Sequence, residues 1–262
     1  MKLERRFLAI PYFICLLVFV VLPLLVVIYY AFTGPEGQPT FGNFLSFFAN
    51  PRTVGTLFYS VFVALLTTVV CLVLAYPTAY ILARGAFAGK SGLLLLVVMP
   101  MWINFTLRLT ALKEVLDLLE GNLAMHPLLN TVIGQTYDFL PFMILPIYNS
   151  MTRMDGSLLE AAEDLGAGKL SVFWKVMIPL SMPGIISGVT MVFLPSMTNY
   201  VVLDMLYNST FIVGSLIGSY FAAYDWHNGS MIATILLILM VLIGLVTDKA
   251  TGGDVEERST VL

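Results

Sequence analysis

Residues 54–83 read VGTLFYSVFVALLTTVVCLVLAYPTAYILA, thirty consecutive positions without a charged side chain. As a helix rising about 1.5 Å per residue this run reaches about 45 Å, more than the roughly 30 Å of a bilayer's hydrocarbon core. Backbone NH and CO groups find no water there, so the helix must satisfy them itself. Uncharged runs also occupy 7–32, 91–107, 177–203 and 227–247, and the run 128–151 is broken only by Asp138. Across 262 residues 59% are hydrophobic and 11% charged, with a mean hydropathy of +0.92; soluble domains carry about 25% charged residues. These figures predict an all-α, polytopic membrane protein forming one domain over 1–262, with six transmembrane helices near 8–32, 55–83, 91–108, 128–150, 178–203 and 228–247.

The basic residues orient this bundle, because cytoplasmic loops carry the positive excess. With six spans and both termini cytoplasmic, Lys2, Arg5, Arg6, Arg84, Lys90, Arg153, Lys169, Lys175, Lys249 and Arg258 lie inside and Arg52, Arg108 and Lys113 outside. A seventh span in 205–224 weakens that bias. The stretch holds Asn208, Ser209, Thr210, Gly214, Ser215, Gly218 and Ser219, a composition better suited to a re-entrant or interfacial segment buried against protein. The basic N-terminus resembles a signal peptide, but its apolar run is long and lacks a clear cleavage site, so an uncleaved first helix is expected.

Between the spans, TGPEGQPTFGN at 33–43 is rich in turn formers. Apolar residues at 109, 112, 115, 116 and 119 have helical periodicity among charges, as in an amphipathic segment at the outer interface. The turn GAFAGKS at 85–91 imitates a phosphate-binding loop but has three residues between its glycines where four are needed, and it follows a membrane helix rather than a strand. If transport is ATP-driven, the ATPase is therefore a separate chain. Cys15 and Cys71 lie within spans and suggest neither disulfide nor metal, and His126 and His227 lack a ligand pattern. No catalytic constellation and no nucleic-acid surface is visible.

The longest cytoplasmic segment, 154–179, carries the functional signal. Ser157 and Glu160 have capping-box spacing, and Gly166 and Gly168 supply the backbone freedom that ends a helix. A second helical piece over 170–177 leads to Pro179 at the membrane surface. Periodicity alone fits an ordinary amphipathic loop. The combination Glu160-Ala161-Ala162, Gly166 six residues on, and VMIP ending at Pro179 resembles the EAA motif of ABC-importer permeases, the loop that docks into the ATP-binding subunit. IPYFICLLVFVVLPLL, AYPTAYILAR, LPFMILPIYNSM, LEAAEDLGAGKLSVFWKVMIPLSMPGIISG and the pair Asp225-Trp226 are further similar to spermidine/putrescine importer permeases. That resemblance implies a type I ABC-importer permease fold in a bacterial inner membrane, with no cofactor of its own. It also implies a second homologous permease, an ATP-binding subunit dimer that holds ATP and Mg, and an extracytoplasmic polyamine-binding protein. The coupling residues would be Glu160, Ala161, Ala162, Gly166 and Pro179. The same scaffold also fits another solute, and more remotely a passive channel.

A polycation needs carboxylates or carbonyls for its ammonium groups and aromatic faces for cation-π contact. Asp138, in TYDFLPFM at 136–143, lies about ten residues, or roughly 15 Å, from either end of its span, where an ionisable group is costly and faces a bundle interior or a water-filled cavity. Pro141 and Pro146 cannot bond the carbonyls of Tyr137 and Phe142, so a kink and free carbonyls are expected beside it. Tyr137, Trp102, Asn104, Asn199, Tyr200 and Asp204 complete the candidate substrate path. The alternatives are a protonated Asp138 hydrogen-bonded to a neighbouring helix and aromatics that only pack.

Overall fold

Hydrophobic runs of this length fold as helices because only the helix closes its own backbone hydrogen bonds in lipid. The computed structural model describes residues 10–85, 89–206 and 212–251, with side chains described as far as 245. In chain order the helices are α1 (Ile10–Ala31), α2 (Gly42–Ala49), α3 (Pro51–Arg84), α4 (Lys90–Trp102), α5 (Phe105–Glu120), α6 (Pro127–Arg153), α7 (Gly156–Asp164), α8 (Lys169–Thr198), α9 (Val201–Leu206), α10 (Val213–Ala222) and α11 (Trp226–Thr251). Four of them, α1, α3, α8 and α11, are long and apolar enough to cross a membrane, and the α4–α5 pair makes a fifth if taken as one span. The 27-residue α6 is long enough but more polar, because the face it buries carries Asn130, Thr131, Gln135, Thr136 and Asp138.

Several predicted boundaries move. The third span ends at Trp102 rather than 108, and the chain turns by 103° into α5. Pro100 lies in a closing 3-10 turn, Ile103 is extended, and the Asn104 side chain accepts from the backbone NH groups of Thr106 and Leu107, starting a new helix. The amphipathic segment is thus a separate helix with Leu109 and Leu116 buried. The fifth span begins at Lys169 and ends at Thr198, so the predicted piece at 170–177 is its first part and Pro179 lies inside the helix. A π turn over Phe173–Met177 precedes that proline, and Ile178 donates to the Phe173 carbonyl five residues back. In α1 a π turn over Leu17–Val21 stands in the same relation to Pro23. The wider turn accommodates a ring that would otherwise strike the carbonyl four residues earlier. By contrast α6 continues as one helix through Pro141 and Pro146.

The turn-rich loop after α1 closes through a bridge between Thr33 and Pro39, and then forms α2, which the turn formers had hidden. Asn43 donates to the carbonyls of Ala31 and Thr33, at 3.1 and 3.0 Å, and so pins α2 to the end of α1. Within 205–224 the chain forms α10, ten residues long and about 15 Å, half a span. Residues 207–211, and 86–88 of the glycine-rich turn, lie outside the described residues.

The centre of the molecule is α6 packed between α3 and α8. Cys71, Ala75, Tyr76 and Ala79 of α3 meet Phe139, Met143, Ile144, Ile147 and Met151 of α6 and Val192 of α8. Glycines set the spacing. A Cβ on Gly184 would fall 2.6 Å from the Pro146 carbonyl oxygen, and one on Gly188 would fall 2.7 Å from the Met143 sulfur. Two glycines four apart on one helix face let membrane helices approach closely. A second cluster joins Ala31, Phe47, Ala64, Met197, Val213, Met231 and Ile232, and a third joins α5 to α9 through Leu109, Leu116, Val202, Leu203 and Leu206.

Candidate substrate path and coupling hairpin

The buried polar face of α6 forms a seam through the bundle. Near its start Asn130 donates to the Glu120 carboxylate at 3.0 Å and the Leu123 carbonyl at 2.9 Å. Next along the seam, Gln135 accepts from the Thr67 hydroxyl of α3 and donates to the Ser196 carbonyl of α8, each at 3.0 Å. One amide thereby joins the three central helices. Three residues further, Asp138 Oδ1 accepts from Arg108 Nη2 of α5 at 2.6 Å, and Oδ2 accepts from Asn199 Nδ2 at a longer 3.3 Å. Asp138 is 6% exposed and Arg108 8%. The Arg108 guanidinium carbon also lies 5.9 Å from the centre of the Tyr137 ring. Its Nε and Nη1 have no acceptor among the described residues. A buried carboxylate is tolerable when paired and hydrogen-bonded, and here the pair is closed on the carboxylate side and open on the guanidinium side.

Of the residues expected along a substrate path, Tyr137 and Asn199 are brought to Asp138. Asn104 is the cap of α5, and its carbonyl accepts from the Arg108 NH one turn on. Trp102 stands 76% exposed at the end of α4. Tyr200 packs against the third apolar cluster, and Asp204 faces outward from α9. Arg108, Gln135 and Thr67 were absent from the sequence-based set. A usable signal existed for Arg108: a lone cation beside an apolar run, in a chain with a lone acid at midspan, needs a partner.

The candidate coupling hairpin starts differently from the predicted capping box. Asp155, not Ser157, caps α7, its Oδ1 accepting from the Ser157 backbone NH at 3.0 Å. That hydrogen bond holds the Asp155 carboxyl below its ordinary range, with the Arg84 charge adding to it. At the other end Gly166 adopts φ +82°, and Ala167 donates to the Ala162 carbonyl five residues back, closing the helix as the glycines predicted. Glu160, Ala161 and Gly166 are exposed, Ala162 is half-buried, and Pro179 is exposed on the first part of α8. Around them Leu165 is 90%, Leu170 72% and Trp174 62% exposed. At the root Arg84, the last residue of α3, donates through Nη2 to the Met154 carbonyl at 2.7 Å. The hairpin therefore offers an apolar outer surface while fastened to α3 and continuous with α8.

The sequence model of the family described as binding-protein-dependent transport system inner membrane component matches residues 5–251. This chain belongs to that family. Among inner membrane components it is 34% identical over 257 residues to the spermidine/putrescine transport system permease protein PotB of Haemophilus influenzae, covering 90% of each chain. It is 36% identical to the PotB of Escherichia coli K12, over 77% of this chain and 79% of that one. The inward-facing MetNI methionine ABC transporter has the same fold, with a TM-score of 0.56 at 17% identity over 78% of this chain and 98% of that chain. The protein is thus a multi-pass inner membrane transport component with an ABC-transporter permease fold. Such components are not themselves enzymes, and the family's systems include binding proteins and ATP-binding partners.

Proposed function

We propose that this chain is the transmembrane permease subunit of an ATP-driven importer of spermidine or putrescine. The observation that carries this reading is its identity, 34% over nine-tenths of both chains, to a permease named for those two substrates. The path is formed with a second homologous permease, and α6, fourth in chain order, brings the spans to six, with both termini cytoplasmic. The work is done by a separate ATP-binding dimer, which holds ATP and Mg and seats the exposed hairpin through Glu160, Ala161, Ala162, Gly166 and Pro179. An extracytoplasmic polyamine-binding protein delivers substrate. Along the path Asp138 supplies the carboxylate for an ammonium group, flanked by Tyr137 and Asn199, with Trp102, Asn104, Tyr200 and Asp204 towards the outer side.

The test is to purify the complex through a tag on this chain, identify its subunits, and measure ATP hydrolysis in liposomes with and without the binding protein and each solute. An ATP-binding chain and a second permease are expected to copurify, and hydrolysis is expected to rise with spermidine or putrescine. Stimulation by an unrelated solute with no response to polyamines would move the assignment to another cargo.

A further inference from the structure

We infer that Arg108 is a tethered cation occupying an ammonium site formed by Asp138, Asn199 and the Tyr137 ring, and that a substrate ammonium takes its place during transport. The inference rests on the polyamine reading above and adds to it the mechanism by which the site is kept closed. A carboxylate with an aromatic face beside it and an amide alongside is the surrounding that recognises an alkylammonium or a guanidinium. The guanidinium of Arg108 meets that description within this chain, 2.6 Å from the carboxylate and 5.9 Å from the ring centre.

Two features separate this pair from a plain structural tie. First, among the described residues Nη2 of Arg108 meets the carboxylate while Nε and Nη1, both buried, meet no acceptor. A buried charge satisfied on one nitrogen is poorly stabilised and is open to displacement by a cation that fits better. Second, the three parts come from three different elements. Arg108 is in the first turn of α5, just beyond the 103° bend at extended Ile103. Asp138 is fixed in the central helix α6. Asn199 follows the last residue of α8, a 30-residue helix about 45 Å long whose other end is the coupling hairpin. Movement at the hairpin is transmitted along α8 to the amide on Asp138, while α5 pivots at Ile103 with Arg108. Charge balance holds at each stage, since one cation replaces another at one carboxylate, and the freed Arg108 repels the polycation onward.

The test is initial-rate uptake of labelled spermidine by the complete complex in liposomes. Arg108→Gln removes the tethered competitor and is expected to lower KM by about fivefold or more, a typical coupling magnitude. Asp138→Asn is expected to raise KM, and the double variant to follow Asp138→Asn. The exchanged pair Arg108→Asp with Asp138→Arg keeps the ion pair but reverses the site, so it is expected to assemble and fail in uptake. Uptake near the wild-type rate by the exchanged pair, or an assembled Arg108→Gln complex with unchanged or raised KM, would overturn the inference. If Arg108→Gln does not assemble, the exchanged pair alone decides. A wild-type complex that takes up neither polyamine overturns the underlying reading and this inference with it, whereas wild-type uptake with an active exchanged pair overturns the inference alone.

Discussion

Asp138 is recognisable from sequence as a carboxylate where hydrocarbon is expected, but its partner is not. Arg108 lies thirty positions earlier and follows an apolar run, which on a straight helix puts it at the outer membrane edge; the bend after Trp102 carries it to Asp138 instead. Asp155 is the opposite case, an exposed carboxylate whose effect is local. Its carboxyl is held below the ordinary range by the Ser157 NH, so the cap stabilises α7 above the ordinary carboxylate pKa and is lost as pH falls through the depressed value. In Asp155→Ala, α7 amides are expected to exchange hydrogen faster at neutral pH than in wild type, while Asp155→Asn retains protection. On acidification, after correction for intrinsic exchange, wild type should approach the alanine variant. Equal protection of all three at neutral pH would remove Asp155 as the cap.

At the scale of elements, the contact of α6 with α8 depends on the absence of side chains at Gly184 and Gly188. A Cβ at Gly184 would meet the Pro146 carbonyl at 2.6 Å and the Ser150 Cβ at 2.6 Å, neither at the end of a flexible chain. Gly184→Val is therefore expected to destabilise the folded protein by about 1–3 kcal/mol, the usual cost of overpacking. Gly92→Val, where nothing among the described residues lies within 4 Å of a Cβ, should leave stability nearly unchanged. Thermal unfolding of the two variants in detergent compares them directly; equal melting temperatures would mean that the helices separate without cost. Length and hydrophobicity located α1, α3, α8 and α11 in the sequence, whereas their ends were misplaced where prolines intervened. Pro179 marks a boundary in sequence, yet the π turn before it lets α8 run through.

For the whole molecule, the hairpin, α8 and the polar seam form one continuous path from the exposed α7 to Asp138. Gly166 turns the chain between α7 and α8 at φ +82°, which proline cannot adopt. Gly166→Pro is expected to leave the protein in the membrane while reducing ATP-dependent uptake at least about tenfold, measured as transport per unit of membrane-inserted protein; uptake at the wild-type rate would refute the coupling role. Residue content determined the class of this protein, because uncharged runs near 30 Å long have only helical solutions in lipid. The α7 hairpin was legible too, with its cap at Asp155 rather than Ser157, since caps and glycine stops act within a few residues along the chain. The tertiary structure decided which polar groups meet. The joining of Thr67, Gln135 and Ser196, and of Arg108, Asp138 and Asn199, depends on helix rotation, close approach at glycines and a 103° bend, all set by packing between segments distant in sequence.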